Sequence, residues 1–317
     1  MDVALEKTQG GTSGIGEATV KALAAHGEKC TIYIVGRNKT AAEAIINLCQ
    51  DSSPESTVIF IQKDVSLLKN VDSACEEIKS QEQRVDLLFM SQGYLTFAGR
   101  NGIDTVLSLR YYSRMRFATG LLPLLSTSPC ARVISVFAPG RGELSLKLDD
   151  IGLKEKYSVL KSISHPTFEN TFFMECLAAT NPSVSFLHIW PGLVQTQEME
   201  KSEFPGFVKW LIKWVLFPLI KLFCVPVGET GERMLFHATS EVYPTLVTVD
   251  RRSSSPGDIE IAIGSNGERG SGCYCVNWDG DILRNHARLE RYRKKDGIEK
   301  VVKHTMEVFG AATGGGG

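Results

Sequence analysis

QGGTSGIG (Gln9–Gly16) runs directly into EATVKALAAHG (Glu17–Gly27), and CTIYIVG (Cys30–Gly36) follows. Gly10, Gly14 and Gly16 form a G-x-x-x-G-x-G pattern that opens a helical segment and precedes a β-branched run. Glycines permit a tight turn and a close backbone approach. The start of the following helix offers unpaired N–H groups and the positive end of its dipole, a natural seat for a pyrophosphate. A bare glycine pattern is weak, but its position between strand and helix makes it a dinucleotide-type turn.

Working outward, short β-branched runs alternate with helical-period segments. The strand candidates are Cys30–Gly36, Ser56–Gln62, Val85–Met90, Arg132–Phe137 and Val184–Trp190, with a late one at Gly272–Asn277. Helices are predicted over Gly14–His26, Thr40–Cys49, Leu68–Ser80, Ile103–Leu125 and Tyr157–Ala179, then near Gly231–Thr239 and from about Asp281 to Val308. Several strands are apolar on both faces, as buried parallel strands are. This predicts a Rossmann-like, doubly wound parallel α/β sheet in a single domain over 1–317. Its core spans about 9–200, an apolar helical lid about 203–227, a closing strand and helix 228–308, and a flexible tail 309–317. Residues 251–272, rich in Ser and Gly, read as a loop. The first strand is the awkward element. Its candidate, Val3–Gln9, carries Glu6 and Lys7, and buried unpaired charge is costly at a sheet centre.

Composition bounds the function. The 317 residues carry a net charge of −1, which gives no electrostatic support for a nucleic-acid partner. The basic stretch Arg291-Tyr-Arg-Lys-Lys295 reads as a solvated helix face. Eight scattered cysteines fit free thiols in a reducing, cytoplasmic setting, and no Cys or His spacing matches a metal site. The first residues lack a signal-peptide pattern. Phe204–Val227 is apolar but interrupted by Lys209, Lys213, Lys221 and Pro218. Its uninterrupted run, Trp214–Ile220, is far short of the ~20 residues needed to span a bilayer. It reads as an amphipathic helix pair, serving as a lid or a membrane-surface patch.

Two further features carry chemistry. Gly36-Arg37-Asn38 ends the second strand. An acid there would bond a ribose 2′-hydroxyl, whereas Arg37 accommodates a 2′-phosphate, favouring NADP(H) over NAD(H). Tyr157-Ser-Val-Leu-Lys161 places a phenol and an ammonium four residues apart, one face of a helix, where the cation lowers the phenol pKa for proton transfer. Ser135, near the end of the fifth strand, could hydrogen-bond a substrate oxygen.

Together these residues resemble the short-chain dehydrogenase/reductase family, in a divergent subgroup common in filamentous fungi, over about residues 9–200. The resemblance rests on the glycines, Asp64-Val65, Ser91-Gln92-Gly93, Ser135, Tyr157, Lys161 and Pro191-Gly192 with Thr196. It implies Tyr157 as general acid/base, Lys161 lowering its pKa and holding the nicotinamide ribose, and Ser135 orienting a carbonyl. It further implies Gly10, Thr12, Ser13, Gly14, Ile15, Gly16, Arg37, Asn38, Asp64, Val65, Gly93, Pro191, Gly192, Val194 and Thr196 around the cofactor, and a homo-oligomer built on the fourth and fifth helices. Four departures stand out. Gln9 precedes the first glycine. Ser91-Gln92-Gly93 replaces an Asn-Asn-Ala-Gly segment. Arg110 stands near the family's proton-relay Asn. A charged insertion, Gly140–Glu155, widens the Ser135–Tyr157 gap. The expectation is an NADP(H)-dependent oxidoreductase acting on a bulky apolar ketone, aldehyde or alcohol, in secondary metabolism. The aromatic residues Phe204, Phe207, Trp210, Trp214 and Phe217 point to an apolar substrate. The alternatives are a cofactor-binding relative without turnover and a membrane-surface protein.

Overall fold

A computed structural model describes residues 2–6, 14–27, 29–93, 103–194, 224–251 and 259–312. Seven parallel strands form one sheet in the order β3-β2-β1-β4-β5-β6-β7. They are β1 (Asp2–Glu6), β2 (Thr31–Gly36), β3 (Thr57–Gln62), β4 (Leu87–Met90), β5 (Arg132–Val136), β6 (Ser185–Ile189) and β7 (Cys273–Val276). The order reverses between β1 and β4, so the carboxyl edge of those strands is where a doubly wound sheet binds ligands. The awkward first strand does form. β1 pairs with β2 on one side and β4 on the other, with Glu6 opposite Val35 and Met90. The described strand is Asp2–Glu6, and residues 7–9 of the candidate lie outside the described residues.

Side chains alternate across the sheet because successive Cβ atoms point to opposite faces. Leu88, Met90, Val133 and Phe186 face one core; Leu87, Phe89, Ile134 and Leu187 face the other. The second core is covered by α1 (Ile15–His26), α2 (Lys39–Ser52) and α8 (Val227–Thr239). α1 and α8 pack closely at Gly231, where a Cβ would lie 2.4 Å from the Ala18 carbonyl oxygen. The first core is covered by α3 (Leu68–Gln81), α4 (Ile103–Leu107), α5 (Ser113–Gly120), α6 (Leu122–Ser126) and α7 (Lys161–Thr180).

Several boundaries differ from the sequence expectation. The predicted 103–125 helix is broken: a π-helical turn, Ser108–Tyr112, separates α4 from α5, and Leu121 separates α5 from α6. α7 begins at Lys161 rather than Tyr157. A short helix, α9 (Leu246–Arg251), precedes the Ser/Gly-rich stretch. The charged C-terminal segment is two helices, α10 (His286–Arg293) and α11 (Gly297–Ala312). Residues 309–312, assigned to a tail, are the last turn of α11, with Phe309 buried against Phe173. α11 lies across α7 and the π turn: Tyr111 bonds Thr305 at 2.6 Å and Tyr112 bonds His304 at 2.8 Å. It therefore covers part of the outer helix face on which the family resemblance places subunit contacts.

On the other face, Arg132 holds the carbonyls of His237, Ser240 and Tyr243 at 2.7–2.9 Å. His237 is buried beside it. Desolvation, reinforced by Arg132 and Arg233, pushes its pKa down to about 4. In the unfolded chain it titrates near 6.5, so the unfolded state binds the proton first as pH falls. Stability from this group is complete above pH 6.5 and declines toward pH 4, a loss of about 3 kcal/mol. Urea midpoints measured between pH 7 and pH 4.5 should fall, and should fall less steeply in His237→Gln.

Candidate active site

Because all strands are parallel, the segments after β2, β3, β4, β5 and β6 meet along one edge. Gly14 caps α1 with φ 71°, a conformation that favours glycine, and its carbonyl accepts the Ala18 N–H. Gly16 is buried in the first turn of that helix, and Ile15 packs against the second core. Gly10, Thr12, Ser13 and Thr196 lie outside the described residues, as does most of the 203–227 segment.

After β2, the Arg37 guanidinium stands 3.5 Å from an Asp64 carboxylate oxygen, both side chains partly exposed. Such a pair contributes at most about 1 kcal/mol, so Arg37 can leave it for a stronger anion. Asp64 is the better anchored partner, accepting the Ser66 N–H at 3.0 Å and its hydroxyl at 2.7 Å. Asn38 uses its side-chain oxygen to cap α2 through the Ala41 N–H. Val65 is fully buried in the first core. At the end of β4, the Ser91 hydroxyl and the Gln92 side-chain oxygen are buried without a partner among the described residues. Gly93 leaves room beside them: a Cβ there would meet only Arg114, at 3.8 Å. After β6, Gly192 has φ 79° and packs on Trp278, and Val194 bridges to Val225. Pro191 lies between the end of β6 and this turn. Buried polar atoms without partners, an open glycine shelf and a free helix N-terminus are compatible with a dinucleotide at this edge.

The residues expected to do proton chemistry fall into two separate groups. Ser135 faces α7 from β5 and is fully buried. Its hydroxyl donates to the Asn170 side-chain oxygen at 2.8 Å and accepts from Arg114 at 2.8 Å. Arg114, itself 1% exposed, also donates to the carbonyls of Leu109, Val136 and Gln92. Asn170 completes the cluster by donating to the carbonyls of Arg110 and Pro166. Beside it on β6, His188 bonds Thr171 at 2.9 Å, and burial, with Arg114 adding, holds its pKa well below the usual histidine value.

Tyr157 and Lys161 stand outside that hydrogen-bonded cluster. Tyr157 is half-buried against the first core in the loop before α7, and its hydroxyl has no hydrogen-bond partner among the described residues. Lys161 is the first residue of α7. Its ammonium donates to the Lys156 carbonyl at 2.8 Å. Helical bonding begins at Ser158, whose hydroxyl accepts the Lys161 N–H and whose carbonyl accepts the Ser162 N–H, so Tyr157 lies one residue outside it. Among the described residues no hydrogen bond links Ser135 to Tyr157 or Lys161.

The charged insertion is ordered by short bonds rather than left as a loose flap. Ser164 receives the N–H groups of Leu144 and Ser145. His165 accepts the Lys147 N–H and pairs its other nitrogen with the Ile151 carbonyl, and burial lowers its pKa. Asp150 binds the N–H groups of Lys154, Glu155 and Lys156; against a desolvation that raises it, those bonds bring its pKa below the usual value. This turn leads directly into Tyr157. Reading the motifs missed Arg114 and Asn170, which lie 21 and 35 residues from Ser135 and share no motif with it.

Removing the Ser135 hydroxyl leaves the buried Asn170 side-chain oxygen without its donor and takes one acceptor from the Arg114 guanidinium. Ser135→Ala should therefore lower unfolding stability by about 1–3 kcal/mol, with or without cofactor. An unchanged urea midpoint would show that the hydroxyl bonds are not structural.

Comparison with known proteins places this architecture. Residues 8–139 match the short chain dehydrogenase family model. An oxidoreductase of Emericella nidulans is 40% identical over 307 residues, covering 96% of this chain and 92% of that protein. A short-chain dehydrogenase/reductase of Stachybotrys chartarum is 36% identical, covering 95% and 90%. Among solved structures, the fold is shared with YwfH, an NADPH-dependent reductase involved in bacilysin biosynthesis (TM-score 0.58, 18% identity, 76% and 92% covered). It is shared also with the NADPH complex of L-sorbose reductase from Gluconobacter frateurii (TM-score 0.58, 17% identity, 75% and 90% covered). With fungal oxidoreductases matching it along nearly its whole length, the chain belongs to the short-chain dehydrogenase/reductase family.

Proposed function

We propose that the protein is an NADP(H)-dependent oxidoreductase interconverting a carbonyl and an alcohol on a bulky apolar small molecule. The observation that carries the reading is Arg37. A partly exposed guanidinium, held only loosely by Asp64, stands after β2 where an acid would select NAD(H). Two neighbours of the same fold, YwfH and L-sorbose reductase, are described with NADPH. The residues placed to hold the dinucleotide are the α1 turn with Gly14 and Ile15, Arg37 beside Asn38 and Asp64, and Gly93 with Ser91 and Gln92. The nicotinamide supplies or accepts the hydride.

For proton transfer, the candidate is Tyr157, whose hydroxyl is unengaged among the described residues, with Lys161 as the cation near it in sequence. Ser135 is better suited to positioning than to touching substrate, since its hydroxyl already both donates and accepts. The apolar substrate rests on the aromatic residues of 203–227, and a role in secondary metabolism on the resemblance to fungal relatives. All eight cysteines are free, which fits a reducing compartment such as the cytoplasm. Among the described residues no helix is long and apolar enough to cross a membrane. Any homo-oligomer must accommodate α11 where it covers α7.

A second reading, cofactor binding without turnover, is favoured by one observation: among the described residues no hydrogen bond links Tyr157, Lys161 and Ser135, and the Ser135 hydroxyl and Lys161 ammonium are engaged elsewhere. Titration calorimetry and a panel of apolar ketones separate the two. Arg37→Asp should weaken NADPH binding by about 1–3 kcal/mol and spare NADH; equal weakening of both would remove the basis for NADP preference. Tyr157→Phe should abolish NADPH oxidation while leaving NADPH affinity within about threefold. Tight NADPH binding with no turnover of any ketone would establish the second reading.

A further inference from the structure

The basic stretch of α10 is more than a solvated face. Arg288, Arg291 and Lys295 line one cavity of about 310 Å³ together with Glu143, Leu144 and Tyr292. The cations are not neutralised there. On the same helix Arg293 is spent on Glu175 and Glu290. Arg291 and Lys295, by contrast, have no ion-pair partner among the described residues. Arg288 uses one nitrogen on the Glu143 carbonyl at 2.8 Å and forms no ion pair with its carboxylate. The Glu143 carboxylate has one oxygen filled by the Gly140 N–H and the Asn285 amide. Its other oxygen is buried without a partner. Tyr292 is a fixed wall, its ring 4.7 Å from that of Phe168 and its hydroxyl accepting the Leu146 N–H.

Three cations against the single Glu143 carboxylate leave this concavity with a positive potential, although the chain as a whole carries −1. Guanidinium forks and an ammonium match phosphate oxygens. We propose that this cavity binds a small phosphate ester, with Arg291 and Lys295 holding the phosphate and the organic part lying against Leu144 and the Tyr292 ring. The cavity is distinct from the Arg37 position, since Arg37 follows β2 while α10 follows β7, near opposite margins of the sheet. It adjoins the loop after β5 that leads to Tyr157, so occupancy would brace that loop. The proposal stands independently of cofactor preference.

Glycerol 3-phosphate, titrated calorimetrically into the full chain at low ionic strength, should bind saturably with a Kd near or below about 1 mM. Inorganic phosphate should bind more weakly. Arg291→Gln with Lys295→Gln, two exposed unpaired positions whose melting temperature checks folding, should weaken binding about tenfold or more. Arg37→Ala should leave it unchanged. The proposal is overturned by any of four results: no saturation by about 10 mM; equal affinity in the double variant; loss in Arg37→Ala; or inorganic phosphate binding as tightly as the ester. Binding of poly-glutamate without binding of the ester would also overturn it, in favour of an acidic protein surface.

Discussion

The Arg114 guanidinium is the group on which the carboxyl edge of this sheet depends. From α5 it reaches the end of β4 through the Gln92 carbonyl, the end of β5 through Ser135 and Val136, and its own helix through Leu109. A cation this deeply buried is tolerable only where its N–H groups meet acceptors, and breaking such a set costs several kcal/mol. The reward is geometric. Two adjacent strand ends are clamped to a helix at the level where a parallel sheet receives its ligand. Through Ser135 the clamp extends to Asn170, and so to α7, the helix that begins at Lys161. The guanidinium also lies over the Phe137 ring at 5.5 Å, which fixes the first residue beyond β5.

The neighbouring Arg110 solves a different problem by the same chemistry. Pro166 sits inside α7 and has no N–H to offer the Ser162 carbonyl one turn earlier, a defect that ordinarily costs about 3 kcal/mol. The Arg110 guanidinium donates to that carbonyl at 2.8 Å and to the Ser162 hydroxyl at 3.1 Å. Arg110 is carried in the π-helical turn Ser108–Tyr112, whose extra residue changes the helix phase. Its own carbonyl accepts from Asn170. Arg110 is therefore committed to the backbone of α7.

The architecture was legible because its signals are local and redundant. The six strand candidates that became β2 to β7 each found their place in the sheet within a residue or two at either end. β1 shows why charge alone is a poor veto: the segment with Glu6 pairs with β2 and β4 all the same. The site was less legible. Tyr-x-x-x-Lys spacing predicts a shared face only if the segment is helical, and the Asp150 turn keeps residues 154–157 out of α7. Ser135 was visible as a polar residue in an apolar strand, yet whether such a residue faces ligand or core depends on what lies opposite. Here that is an arginine and an asparagine contributed by distant helices. No periodicity in the chain announces such a meeting, because the partners belong to helices whose patterns are otherwise ordinary.

These observations divide the carboxyl edge into a committed half and an uncommitted half. Around β5 and α7, Ser135, Asn170, Arg110 and Arg114 spend their hydrogen bonds on one another and on backbone, while Glu169 and His188 each keep one buried side-chain atom without a partner among the described residues. Around β2 and β4, Arg37 is loosely paired, and Ser91 and Gln92 bury acceptors without partners among the described residues. Each buried polar atom left unsatisfied costs about 1–3 kcal/mol unless something completes it. On the β2 and β4 side a bound dinucleotide would supply those partners. The asymmetry also explains why replacing a residue of the committed half is expected to disturb folding before chemistry, whereas replacing Arg37 changes affinity in a scaffold that stays intact.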